Sequence, residues 1–134
     1  MLLGQHERDN PEAKVTLAEI LLIIDDDREL QRAYRRVLEA NGYVVVQAYD
    51  ALGGLAAARE QRVALIVLDV GLPDMDGREV LALLKADQLT ARVPVVICSG
   101  GAPGLDRATV LGQGAGYFMD KPCAQDLLEL LLGR

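Results

Sequence analysis

Residues 65–77 read Leu-Ile-Val-Leu-Asp-Val-Gly-Leu-Pro-Asp-Met-Asp-Gly. The run Leu65–Leu68 is apolar without interruption, and Ile66 and Val67 are β-branched, as in a strand covered on both faces of a parallel sheet. It stops abruptly at Asp69. Pro73 and Gly77 then mark a turn. From about Arg78 to Ala86 a helix is expected, with Val80, Leu81 and Leu84 leading its core side. The stretch is one strand–turn–helix unit with an acid at the carboxyl end of the strand.

Working outward, the same unit recurs. Further strands are expected at Ile20–Ile24, Tyr43–Val46, Val93–Cys98 and Tyr117–Met119. The first helix has the clearest pattern, with Leu30, Ala33, Tyr34, Val37 and Leu38 on one side and Arg28, Arg32, Arg35, Arg36 and Glu39 on the other. Asp26 or Asp27 can cap its start, and Gly42 supplies a left-handed stop. The second helix begins near Asp50 and is weakened by Gly53-Gly54. The fourth, near Leu105–Leu111, has a thin apolar face. The last, Ala124–Leu132, carries five leucines over six positions, read as core burial, with a partner surface as the alternative. Five strands alternating with five helices imply a sheet with helices on both faces, joined by right-handed crossovers. Ligands in such sheets collect at the carboxyl ends of the strands.

The 134-residue length suits one domain of roughly 100–150 residues. Residues 1–17 read as a flexible tail and 18–134 as the folded domain. A net charge of −6 repels phosphate backbones, so direct nucleic-acid binding is not expected, and the core fold leaves no room for a separate DNA-binding domain. The apolar runs fall far short of the about 20 residues of a membrane helix. The amino terminus lacks the apolar centre of a signal peptide, which points to the cytoplasm. Cys98 and Cys123 have no metal-site spacing and are expected to be reduced thiols without a disulfide. His6 lies in the tail and has no expected role. The glycine-rich residues 99–104 match neither nucleotide-binding fingerprint.

The strand ends carry the chemistry. The first ends in Asp25-Asp26-Asp27, the third in Asp69, the fourth in Ser99 and the fifth in Lys121, before Pro122. Adjacent strands lie about 4.8 Å apart, so acids ending the first and third would converge if those two strands are neighbours. Carboxylates brought together repel unless a cation compensates them. Mg²⁺ fits best, being held by one or two carboxylates together with waters and phosphate oxygens. A carboxylate can also act as nucleophile and form an acyl phosphate. The serine hydroxyl and lysine ammonium would then neutralise its equatorial oxygens.

The strings Ile-Leu-Leu-Ile-Ile-Asp-Asp-Asp (20–27), the quoted 65–77, Pro-Val-Val-Ile-Cys-Ser (94–99) and Lys-Pro (121–122) resemble the receiver domain of bacterial two-component response regulators, in the single-domain, chemotaxis-regulator-like form. The resemblance implies a flavodoxin-like, doubly wound α/β fold with five parallel strands in the order 2-1-3-4-5. It implies that Asp69 accepts the phosphoryl group. Asp26, Asp69 and the Gly71 backbone carbonyl would bind Mg²⁺, or alternatively Mn²⁺, with Asp25 acting through water. Ser99 and Phe118 match the switch residues and Lys121 the phosphate-binding lysine, with a cis Lys121–Pro122 bond. The implied partners are a sensor histidine kinase or histidine phosphotransfer protein and a downstream protein target. A homodimer through the fourth and fifth helices is permitted.

Asp27 is read as a helix cap in place of a ligand, and Phe118 is also compatible with plain core packing. Two departures from the family pattern stand out. Ser99 replaces the commoner threonine, and Gly71 and Gly101 leave two positions beside the phosphoryl site without side chains. Polar side chains introduced there should change the phosphoryl lifetime. The alternatives are a receiver-fold binding module independent of phosphate, disfavoured by the complete residue set, and a small aspartyl phosphatase, disfavoured by the lack of a cap insertion. The chain is therefore expected to be a signalling domain, assisting only its own phosphorylation and dephosphorylation, and not an enzyme.

Overall fold

The computed structural model describes residues 19–101 and 106–133. Among the described residues five strands and five helices alternate: β1 Ile20–Ile24, α1 Arg28–Glu39, β2 Val44–Ala48, α2 Ala51–Glu60, β3 Leu65–Asp69, α3 Gly77–Ala86, β4 Val95–Ser99, α4 Arg107–Gly112, β5 Tyr117–Asp120 and α5 Ala124–Leu131. The expected tail, 1–17, lies outside the described residues, as does Leu105, where the fourth helix was expected to begin. All four strand pairings are parallel, and the order is β2-β1-β3-β4-β5. This is the flavodoxin-like arrangement, with the order reversing between β1 and β3.

Successive strand residues face opposite sides of a sheet, and the core divides accordingly. On one side Leu22, Ile24, Ile66, Leu68 and Ile97 pack under Ala51 and Ala58 of α2, Val80, Leu81 and Leu84 of α3, and Val110 of α4. On the other, Leu21, Ile23, Val67 and Val96 meet Tyr34 and Leu38 of α1 and Leu127 of α5. Each fully buried leucine or isoleucine contributes about 1.5–3 kcal/mol of transfer free energy.

Four helices open on an aspartate cap that accepts a backbone amide: Asp27 from Leu30, Asp50 from Gly53, Asp76 from Arg78 and Asp106 from Thr109. Asp27 is thus a cap, as its sequence context suggested. Gly42 follows α1 at φ +91°, the left-handed stop expected there.

The structure gives two glycines a packing role and overturns one expectation. Gly53-Gly54 weakens α2 by propensity alone, but a Cβ on Gly54 would stand 2.6 Å from Ile24 Cδ1, so this glycine lets α2 settle on β1. Gly77 opens α3 and is needed for close approach more than for turn geometry. A Cβ there would lie 2.5 Å from the Asp69 carbonyl oxygen. The cysteines are not separate thiols: Cys98 and Cys123 form a disulfide. Cys98 is the last residue but one of β4 and Cys123 immediately precedes α5, 25 residues on, and both are buried in the same cluster. Spacing along the chain gives no hint of that meeting.

The leucine-rich last helix is used only in part for the core. Leu127 and Leu128 are buried, Leu130 and Leu131 pack at its margin, and Leu132 is exposed.

Candidate functional site

The carboxyl ends of β1, β3, β4 and β5 meet at one rim of the sheet. Asp25 follows β1, Asp69 ends β3, Ser99 ends β4 and Lys121 follows β5. Asp25, Asp69 and Ser99 are buried, whereas Asp26 is exposed. One carboxylate oxygen from each of Asp25, Asp26 and Asp69 falls in a group whose members all lie within 4.8 Å of one another.

Lys121 Nζ sits 2.9 Å from Asp25 Oδ2 and 3.1 Å from Asp69 Oδ1. Its backbone amide donates to the Ser99 carbonyl at 2.8 Å, and the bond to Pro122 is cis. The ammonium reaches across the end of β4 to acids on the two central strands. A long side chain is required because its own strand is the sheet edge. Ser99, on the strand adjacent to Asp69, needs only a short hydroxyl. Its Oγ accepts the Gly101 amide at 3.1 Å.

The electrostatics follow from this crowding. Burial raises the Asp25 pKa above its ordinary value. Hydrogen bonds from Lys121 and the Asp27 amide pull it back, and the nearby Asp69 charge pushes it up again. Burial also works against the charged form of Lys121, but the Asp25 hydrogen bond and the two carboxylate charges outweigh it, so its pKa rises. Tyr34, buried beneath the same acids, is held protonated by burial and by the Asp25 and Asp69 charges. Three acids meet one ammonium, which leaves an excess of negative charge. Oxygen donors with this surplus suit a hard divalent cation, so the residues present fit the ion expected from the sequence.

Gly71 lies in the β3–α3 loop and bridges to Asp76, with open space where a Cβ would project. Phe118 sits in β5, half-buried against the core cluster on the α2–α3–α4 side of the sheet. Asp25, Asp26, Asp69, Ser99 and Lys121 gather at this rim, and Phe118 lies on β5, three residues before Lys121.

Sequence reading missed the supports. Gln31 lies buried in α1, and its Nε2 donates to the carbonyls of Ile23, Asp25 and Ala48 at 2.9–3.1 Å. It thereby fastens the end of β1 to the end of β2. The signal was present, since Gln31, Tyr34 and Leu38 are the buried residues of α1 and fall at helical spacing, but a glutamine does not register as apolar. Asp74, beyond the acceptor strand, takes the Ala51 and Leu52 amides at 2.8 and 3.1 Å and pins the site loop to the start of α2.

A family model, the response regulator receiver domain, matches residues 21–132. The chain belongs to that family, the phosphorylation-linked signalling domain of two-component regulators. It is 38% identical over 107 residues to the transcriptional regulatory protein KdpE of Mycobacterium tuberculosis, covering 80% of this chain and 46% of that protein. The chain thus spans about half the length of the curated relatives it matches. Among solved structures it resembles a CheY-like response regulator receiver domain protein from Methanospirillum hungatei, with a TM-score of 0.77 at 33% identity over 87% of this chain and 93% of that one. It also resembles the receiver domain of a sensor histidine kinase from Pseudomonas aeruginosa, solved with a magnesium ion coordinated in its active-site cleft. There the TM-score is 0.75 at 25% identity, over 88% of this chain and all of the other. Among the described residues, no helix is long and apolar enough to cross a membrane.

Proposed function

We propose that residues 18–134 act as a phosphorylation-driven switch in which Asp69 accepts a phosphoryl group. The donor is a phosphohistidine of a sensor histidine kinase or histidine phosphotransfer protein. As the donor's phosphorus–nitrogen bond breaks, an Asp69 carboxylate oxygen bonds to phosphorus and gives an acyl phosphate. The observation that carries this reading is the Lys121 ammonium, placed within 3.1 Å of Asp69 beside two further carboxylates.

Asp26, Asp69 and the Gly71 carbonyl would hold Mg²⁺ or Mn²⁺ directly, with Asp25 acting through water. When bound, the cation supplies positive charge to the phosphoryl oxygens. Lys121 provides a second positive charge and Ser99 a hydroxyl donor on the other side. Movement of Ser99 toward the phosphate lets Phe118 turn inward, altering a protein-binding surface around α4 and α5. A cytoplasmic downstream protein reads that surface, and two copies of this chain can pair through α4 and α5. The acidic charge argues against nucleic-acid contact by these residues. Since the chain spans only part of its transcription-regulator relatives, that argument does not extend beyond them.

Incubation with Mg²⁺ and acetyl phosphate, followed by intact mass spectrometry, tests the reading. One phosphoryl adduct is expected in the parent and none in Asp69→Asn. A phosphate-independent binding module would give no adduct in either.

A further inference from the structure

We propose that Arg107 is a positioning residue for Phe118: its guanidinium holds the aromatic ring in the place it occupies before phosphorylation and so sets the threshold of the switch. The inference rests on the proposed role of Phe118 and extends it to a residue outside the phosphoryl site. Arg107 Cζ stands 5.5 Å from the centroid of the Phe118 ring, within the range at which a cation is attracted to the face of an aromatic ring.

Nothing else described in the structure explains that placement. Among the described residues no ion pair or hydrogen bond engages the Arg107 guanidinium. The residue opens α4, immediately after the Asp106 cap. A cation in the first turn opposes the helix dipole, so the helix does not benefit from it either. Phe118 is meanwhile only half-buried on an edge strand, paired with Ile97 of β4 two positions before Ser99. A ring so placed is weakly fixed by packing, and one added contact makes a sizeable difference to its preference. Lying on α4, that contact also joins the ring to the helix expected to take part in the output surface.

An interaction that favours one ring position must be broken when the ring moves. At a solvent-exposed site its loss should shift the ring equilibrium roughly two- to fivefold. Phe118 is the only phenylalanine in the chain, so incorporation of 4-fluorophenylalanine yields a single fluorine resonance that reports this ring alone. Spectra are recorded with Mg²⁺, before and after acetyl phosphate, for the parent, Arg107→Met and Arg107→Lys. Phosphorylation should displace the parent resonance. In unphosphorylated Arg107→Met the resonance should already lie part-way toward the phosphorylated position. The phosphorylated resonance should match the parent's, and half-maximal phosphorylation should come roughly two- to fivefold sooner. Arg107→Lys, which keeps the charge, should fall between the two.

A parent resonance that moves on phosphorylation, combined with parental position and kinetics in Arg107→Met, overturns the role of Arg107 and leaves the switch intact. A phosphoryl adduct that leaves the parent resonance unmoved overturns the Phe118 switch itself, and this inference with it. Failure of Asp69 to take up phosphate overturns the proposed function as a whole.

Discussion

Lys121 follows β5 and Asp69 ends β3, with β4 between them, yet their charged atoms stand 3.1 Å apart. The lysine spans the end of the intervening strand and comes to rest between two acids that repel each other. Without that ammonium, a buried strand would end on a carboxylate beside a second buried carboxylate, an arrangement costly in a low-dielectric setting. The same contact that stabilises the resting rim thus places a positive charge where an arriving phosphoryl group needs one.

Lys121→Met removes the counter-charge and leaves Asp25 and Asp69 uncompensated. Breaking one member of a buried ion pair costs on the order of 3–5 kcal/mol, so the unfolding midpoint should fall. Mg²⁺ should then raise the midpoint of this variant by more than it raises the parent's, because the ion no longer shares the acids with an ammonium. Thermal melts across a magnesium titration check both statements, and equal gains in the two proteins would contradict them.

Asp26→Asn tests the metal reading from the other direction. Asp26 is the exposed member of the acidic group and makes no ion pair among the described residues. Its neutralisation should leave the fold unchanged and weaken Mg²⁺ binding at least about tenfold, since the ion is held by only one or two carboxylates. Equilibrium binding followed by isothermal calorimetry gives the answer. A parental affinity would remove Asp26 from the ligand set.

Gly71→Asn should change the rate at which the acyl phosphate is hydrolysed while leaving stability near the parent's. A Cβ at this position meets nothing within 4 Å. Gly101→Glu is a different case: Gly101 sits at φ +96°, a region that disfavours side chains, so this variant should also lose stability. Decay of the phosphorylated protein by mass spectrometry, read alongside thermal melts, separates the two effects.

Gly54→Ala pits helix propensity against packing. Alanine in a helix interior is favoured over glycine by about 1 kcal/mol. The new methyl group, however, would press on Ile24, whose atoms lie 2.6–2.8 Å from the ideal Cβ position. Overpacking of this kind costs about 1–3 kcal/mol, so the variant should be less stable by chemical denaturation. Ile24→Ala should cost less in the Gly54→Ala background than in the parent, and additive effects would show that the two residues do not conflict.

Asp74 gives a pH dependence with a definite sign. Hydrogen bonds from the Ala51 amide, and then from Leu52, hold its carboxyl below the ordinary 3.8. A folded-state pKa lowered in this way stabilises the protein above the unfolded value, and that contribution is lost as the pH falls through the folded value. The parent should therefore melt above Asp74→Ala at neutral pH, with the gap narrowing below pH 3.8. Melting curves across an acid series would expose a gap that persists, which would mean that the carboxylate charge is not responsible.

By itself the sequence determined the layout: uninterrupted apolar runs with patterned helices between them, and an acid, a hydroxyl or an amine at the strand ends. These features are local, since strand burial, helix periodicity and capping are written in residues a few positions apart. The Asp27 cap and the Gly42 stop could therefore be expected before any coordinates, and the convergence of Asp25, Asp69, Ser99 and Lys121 followed once the family resemblance supplied the strand order. Only the tertiary structure decided which residues brace that site. Gln31 bonds to strand ends as far as 17 residues away, Asp74 reaches back to the start of α2, Cys98 meets Cys123, and Arg107 meets Phe118. Such contacts depend on how separate elements are laid side by side. The packing of the sheet settles them, and no periodicity along the chain encodes them.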